Sequence, residues 1–357
     1  MIETLERFDA LAGSSGSMRG WRLQDLDLRQ RSTALRRLDA TAALFLGCRL
    51  DPADEDSLRD RGALIFPEVP DVPFDPYRTT LYDPHELYAG LDRGYEHTPD
   101  ATIYAWSQRV GIGRSDVTAA LARSLHDHAI DEALADYVAP GGLLGVMGGH
   151  AVQRDSPTYA DAARLGRAAA RAGLVVATGG GPGAMEAANL GAAARDLDDG
   201  QLDRALHELS VVPDFRPSVR AWAEAAFRVL DRLRGDVRTL GIPTWFYGHE
   251  PPNPFAAAVA KFFRNAIRED TLLHVCTAGI VYLPGSAGTV QELFQDACEN
   301  YYAEDLARAP MVLLGREHWT RTHPAWPLLR SLADSAGFSS RVSLVDSWEE
   351  AVEVLGA

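Results

Sequence analysis

Lysine is nearly missing from this chain: Lys261 is the only one in 357 residues, and arginine supplies every other fixed positive side chain. A Walker-type phosphate loop, which needs its lysine, is therefore not supported, and only one residue could carry Schiff-base chemistry. Cysteine is scarce as well. Cys48, Cys276 and Cys298 lie far apart without metal-ligand spacing, so the expectation is buried thiols in a reducing compartment and neither a zinc site nor a disulfide framework. Positive charge is in deficit: 50 acidic against 35 basic residues leave a net charge of -15. Such a chain repels nucleic acid overall, and any anionic ligand must be met by a local arginine cluster. No apolar run of about eighteen residues occurs, and the N-terminal MIETLERFDALAGSSGSMRGW has no apolar signal core. A cytoplasmic protein without membrane or nucleic-acid partners is expected.

The chain is long enough to bury a sizeable core, in two domains or one large one. Residues 1–138 read as a smaller α/β extension of unassigned role. TAALFLGCRL (41–50) and ALIF (63–66) are strand candidates around the short helix EDSLRDRG (55–62). The five prolines of PEVPDVPFDPYRTTLYDPHELY (67–88) exclude regular helix and central strand and predict an ordered wrapping loop. DVTAALARSLHDHAIDEALADYV (116–138) returns to helical periodicity. Residues 139–357 then alternate regularly, with strands at LLGVM, LVVAT, TLGI, AGIVYL, PMVLL and RVSLV, and with a helical insertion at about 196–236. NPFAAAVAKFFRNAIRED (253–270) reads as one helix. Strands separated by helices predict a Rossmann-like, doubly wound parallel sheet covered by helices on both faces, beside the smaller N-terminal α/β unit. Sheets of this kind bind ligands at the carboxyl ends of their strands.

Two glycine loops fall at such ends. In TGGGPGAMEAANLGA (178–192), Gly179, Gly180, Gly181 and Gly183 permit positive φ and close backbone approach, which leaves N–H groups and a helix N-terminus to face an anion. A tight strand-to-helix turn explains the same glycines. Their spacing is not that of the dinucleotide fingerprint, which disfavours nicotinamide cofactors. In YLPGSAGTVQELFQDACENYY (282–302), Gly285 and Gly288 bracket Ser286 and Ala287, and Thr289 stands where a helix cap belongs; together they make a phosphate cradle. Thr289-x-x-Glu292 fits a capping box, yet Glu292 also stands off the apolar stripe of Val290, Leu293, Phe294 and Ala297, where a carboxylate lies a sugar's length from a bound phosphate. Lys261, Arg264 and Arg268 recur at i, i+3 and i+7, as a solvated basic stripe or as an anion site. His150 ends the first strand of this half, where a hydrogen bond to the loop is favoured over a direct chemical role.

Taken together, these segments resemble the LOG (LONELY GUY) family of cytokinin-activating nucleotide phosphoribohydrolases and its longer bacterial relatives. Its G-G-G-x-x-G-x-M loop is resembled, with one residue fewer between the third and fourth glycines, by Gly179, Gly180, Gly181, Gly183 and Met185, and its P-G-G-x-G-T-x-x-E loop is matched by Pro284, Gly285, Gly288, Thr289 and Glu292. Two further departures are plain: Ser286 replaces the second glycine of the second loop, and Glu186 stands where a glycine usually follows the methionine. The resemblance implies hydrolysis of the N-glycosidic bond of an AMP-like nucleoside 5′-monophosphate, with Glu292 and Arg268 catalytic, no cofactor, no metal and a homodimer. His150, Arg264, Met185, Glu186 and the two loops would line the substrate. Relatives labelled lysine decarboxylases would need pyridoxal phosphate on Lys261, which is poorly placed for it. A second reading, from a different class, is a non-catalytic nucleotide or molybdenum-cofactor carrier of the same fold.

Overall fold

Ten strands form two parallel sheets in the computed structural model, which describes residues 1–111, 116–138, 142–233, 235, 238–246, 250–304 and 308–356. β1 (Arg22–Gln24), β2 (Leu44–Leu46) and β3 (Leu64–Phe66) make a small sheet in that order. β4 (Leu143–Met147), β5 (Val175–Thr178), β6 (Thr239–Gly241), β7 (Ala258–Val259), β8 (Gly279–Tyr282), β9 (Met311–Leu314) and β10 (Val342–Val345) make a seven-stranded sheet of order β10-β9-β8-β4-β5-β6-β7. The α/β, doubly wound parallel architecture expected from the alternation is the one found.

The division of the chain falls elsewhere than at residue 138. One compact unit comprises Met1–Arg78 with Ser115–Ala129, the other Thr79–Arg114 with Ile130–Ala357. Residues 139–141, next to the expected boundary, lie outside the described residues. The proline-rich stretch thus feeds both units. Within the larger one, Tyr82 pairs antiparallel with Val259 and covers the exposed side of β7, which would otherwise offer unpaired backbone groups. Tyr88 O–H donates to the Pro252 carbonyl (2.6 Å).

The smaller unit is an internal repeat. β1, β2 and β3 follow the helices Leu5–Ser14, Ser32–Arg37 and Pro52–Asp60, and Leu23, Phe45 and Ile65 share one register position, all buried. Two residues before each strand the backbone turns through positive φ, at Gly20, Ala42 and Gly62. The turns are spaced by 22 and 20 residues, from Arg22 to Leu44 to Leu64. Of these elements the sequence reading found only β2, β3 and the helix before β3.

In the larger sheet β4 is buried along its whole length, as the apolar run LLGVM requires of a central parallel strand. Helices Pro157–Arg171 and Ala184–Ala193 pack together so closely that a side chain at Gly166 or Gly191 would strike the backbone of the other helix. The insertion forms two helices, Asp199–Ser210 and Val219–Leu230. Arg154 ties it down, donating to the Val212 and Trp222 carbonyls and to Glu186.

The run 253–270 is not one helix. The helix begins only at Asn265 (Asn265–Val275), because residues 258–259 join the sheet as β7. Lys261 consequently does not share a helical stripe with Arg264 and Arg268. Its amine is fully buried, bonded to Asp100 (2.6 Å) and 5.1 Å from the centre of the Trp245 ring. Asp100 also accepts from Trp245 Nε1 (2.8 Å) and Tyr95 O–H (2.6 Å). Cys48 and Cys276 are buried as expected, but Cys298 is exposed.

Behind the sheet, Tyr282 O–H and the Asn300 side-chain amide both donate to the buried Asp296 (2.7 and 3.0 Å). Burial pushes this carboxyl up to about 7, the charge of Glu299 adding to the effect and the Tyr282 bond opposing it. A carboxyl whose folded pKa is raised binds more protons folded than unfolded, so stability falls as pH rises between the two values. We expect roughly 2–4 kcal/mol to be lost between pH 4 and 7, with a plateau above, and Asp296→Asn to flatten that slope in urea unfolding followed against pH.

Candidate functional site

β4 is the switch point of the sheet: the chain moves outward through β5, β6 and β7, then returns to lay β8 against the other side of β4. The segments leaving β4 and β8 border a crevice at their carboxyl ends, the place where doubly wound sheets bind ligands. The two exits are joined. Leu283 N–H donates to the Met147 carbonyl (2.8 Å) and Gly149 N–H to the Pro284 carbonyl (3.2 Å). A cavity of about 390 Å³ occupies the crevice, lined by both glycine loops and by His150, Arg268 and Glu292.

The loop after β8 opens the helix Ala287–Tyr302 with Ser286 as its cap residue, and no side chain caps it. Val290 N–H to the Ser286 carbonyl (3.0 Å) is the first helical bond, so the amides of Ala287, Gly288 and Thr289 precede the helical ladder at the positive end of a long helix. Ser286, Ala287 and Gly288 are exposed and line the cavity. Thr289 is thus not the cap, and Glu292 does not close a capping box. The turn at Gly285 moves the cap three residues earlier: a Cβ there would collide with the Thr289 side chain folded against it. By contrast Ser347 does cap its helix, accepting from Glu350 N–H (3.2 Å), although Glu350 reaches past it to Asp346 N–H (3.0 Å). From behind the loop, His318 Nε2 lies 2.9 Å from the Gly285 carbonyl and 3.3 Å from the Gly285 N–H, and burial lowers its pKa.

Released from capping, Glu292 turns to Arg268, one turn into the facing helix (Nη1 to Oε1, 2.8 Å). Both side chains are about nine-tenths buried, at 11% and 10% exposure, and both border the cavity. The guanidinium is held on two other sides, by the Ile242 carbonyl (2.6 Å) and the Gly179 carbonyl (3.3 Å). Burial raises the Glu292 pKa above its ordinary value; Arg268 pulls it back, and the neighbouring Glu269 and Glu250 charges push it up. The site therefore holds an oriented carboxylate beside a fixed cation, with proton affinity greater than a glutamate has in water.

The first glycine loop divides its labour. Gly179, Gly181 and Met185 line the cavity, and Gly179 leaves room for the Arg268 guanidinium. Gly180 and Gly183 do not line it: they take φ of +72° and +75° and shape the turn. A buried network of Thr178, Asn189 and Asn253 braces that turn. Thr178 accepts from Gly180 N–H (3.0 Å), while the Asn253 amide donates to the Gly181 carbonyl (3.1 Å). At Gly183 a Cβ would stand 2.5 Å from the Gly149 carbonyl oxygen and 2.8 Å from that of His150. Gly183→Ala should accordingly lower stability by more than about 1–3 kcal/mol, the cost of a sparsely populated positive-φ backbone alone, as read from the urea midpoint.

Besides Gly180 and Gly183, three more expected ligand contacts are not brought to the cavity. Glu186 is fully buried and bonded to Arg154 (3.1 Å), so it anchors the insertion. Arg264 is exposed at the residue preceding its helix and is not among the cavity lining. Gly285 holds its turn against His318 without lining the cavity. His150 does line the cavity, paired with Glu250 (3.3 Å), which the sequence reading passed over along with Asn265, Glu269 and Gln291. Glu250, Glu269 and Gln291 are placed by partners far along the chain and Asn265 by Glu269 on its own helix, and only the position of Glu269 beside Arg268 signals the group. Among the described residues no cluster of three or more His, Cys, Asp or Glu is arranged to hold a metal, and no helix is long and apolar enough to cross a membrane.

No protein-family model and no curated protein matches the chain. Among solved structures it is similar to the molybdenum cofactor binding protein from the phototrophic bacterium Rippkaea orientalis, at 18% identity and a TM-score of 0.37 over 60% of this chain and 96% of that one. It is also similar to the molybdenum cofactor carrier protein from Chlamydomonas reinhardtii, at 16% identity and a TM-score of 0.38 over 61% of this chain and 99% of that one.

Proposed function

We propose that the protein hydrolyses the N-glycosidic bond of a nucleoside 5′-monophosphate to free base and ribose 5-phosphate. The observation that carries this reading is the bonded Glu292–Arg268 pair set one turn inside an uncapped helix N-terminus, both facing one cavity. The phosphate binds at the amides of Ala287 to Thr289, where backbone donors and the helix end favour a dianion. This anchors the sugar beside Glu292. As the C1′–N bond breaks, its electron pair leaves with the base, and the carboxylate stabilises the positive charge developing on the sugar ring. Water adds its hydroxyl to C1′, and its proton ends on the departing base or on Glu292. Arg268 fixes the Glu292 carboxylate in that position.

The test is incubation of the full chain with AMP, GMP, CMP, UMP and IMP, with chromatography of the products. Free base together with ribose 5-phosphate is the expected result. Retention of a nucleotide with no product from any of the five would overturn the hydrolase and favour the carrier reading.

A further inference from the structure

The Glu292–Arg268 pair has a neighbour that its chemistry does not use. Residues 268 and 269 face residues 292 and 291: Arg268 bonds Glu292, and Glu269 Oε2 accepts from Gln291 Nε2 (2.6 Å). Asn265, one turn back on the same helix, donates its side-chain amide to Glu269 Oε1. Glu269 is 7% exposed and borders the cavity together with Asn265 and Gln291. Its only hydrogen-bonding partners among the described residues are these two neutral amides, and none of its bonds is to a cation.

A buried carboxylate held by a neutral donor on each oxygen is oriented but not neutralised. Each oxygen keeps a second lone pair, so the group offers two adjacent acceptor sites in a fixed plane. Two neighbouring hydroxyls are the complement of such a pair, since each can donate one hydrogen bond to one oxygen. A phosphate or a base carbonyl would be repelled there. Because Gln291 lies between the phosphate loop and Glu292 on one helix, Glu269 is bound to the segment beside which the sugar must lie.

Resting on the hydrolase reading of the same cavity, we propose that Glu269, oriented by Asn265 and Gln291, recognises the vicinal 2′,3′-hydroxyls of the substrate's ribose and so selects ribonucleotides over 2′-deoxyribonucleotides. A site built to hydrogen-bond a hydroxyl discriminates strongly against the analogue that lacks it, because its own polar group is then left buried and unpaired.

Binding separates this inference from the reaction. Titration calorimetry with ribose 5-phosphate and with 2-deoxyribose 5-phosphate should show the former binding at least about tenfold more tightly, and Glu269→Gln should reduce that ratio to near one while leaving 2-deoxyribose 5-phosphate binding within about threefold. The same ratio should appear in KM for the five nucleotides against their 2′-deoxy counterparts. Ribose selectivity in binding without base release would sink the hydrolase and keep the diol site. Base release at equal KM from both sugars, equal binding of both sugar phosphates, binding of neither, or a ratio untouched by Glu269→Gln would overturn the role given to Glu269.

Discussion

Glu292→Gln is expected to cut base release about 10²- to 10⁴-fold, the range over which a positioned acid or base contributes to catalysis, while ribose 5-phosphate still binds. Glutamine retains the shape and one acceptor oxygen for Arg268, and the guanidinium keeps its bonds to the Ile242 and Gly179 carbonyls. What disappears is the negative charge beside the sugar. That charge also sets the pH response. Since burial raises the Glu292 pKa, and the ionised form is the one that stabilises a cationic sugar, the rate should fall as pH drops through a value above the ordinary glutamate range near 4.3. The Gln variant should lose that acidic limb. Unchanged turnover, or a limb that survives the substitution, would remove Glu292 from the chemistry.

The largest effect on stability is expected from Lys261→Met. Removing one partner of a buried ion pair leaves the other charge uncompensated, at about 3–5 kcal/mol. Here Asp100 would keep its bonds from Trp245 and Tyr95 but lose the neutralising cation. The loss would be read from urea unfolding of the whole chain. Lys261→Met combined with Asp100→Asn should recover much of it, because no buried charge then remains. A single variant within 1 kcal/mol of the parent would mean that the pair is solvated in a way its full burial does not suggest.

The same lysine shows where sequence reading ends. Strands such as LLGVM and GIVY are legible because a central parallel strand is apolar on both faces, and the two glycine loops are legible because they punctuate those strands. AVAKFFRN carries helical spacing, yet β7 and the Asp100 partner, more than a hundred residues away in sequence, overrule it. Thr289 and Glu292 carry the spacing of a capping box no less than Ser347 and Glu350 do. The difference lies in the turn at Gly285, a tertiary constraint that no local pattern records. Glu269 escaped notice because Gln291, which helps orient it, belongs to another helix. The N-terminal repeat was hidden differently: its three turns share buried positions and positive-φ residues but few identical side chains.

That repeat gives the two units of the chain different freedoms in evolution. A parallel turn stacked on the one before it lets length change in whole steps of about 20–22 residues, so the amino-terminal repeat can be extended or trimmed by duplication without redesign. The seven-stranded sheet has no such latitude. An added strand beside β4 would pry apart the exits on which the crevice depends.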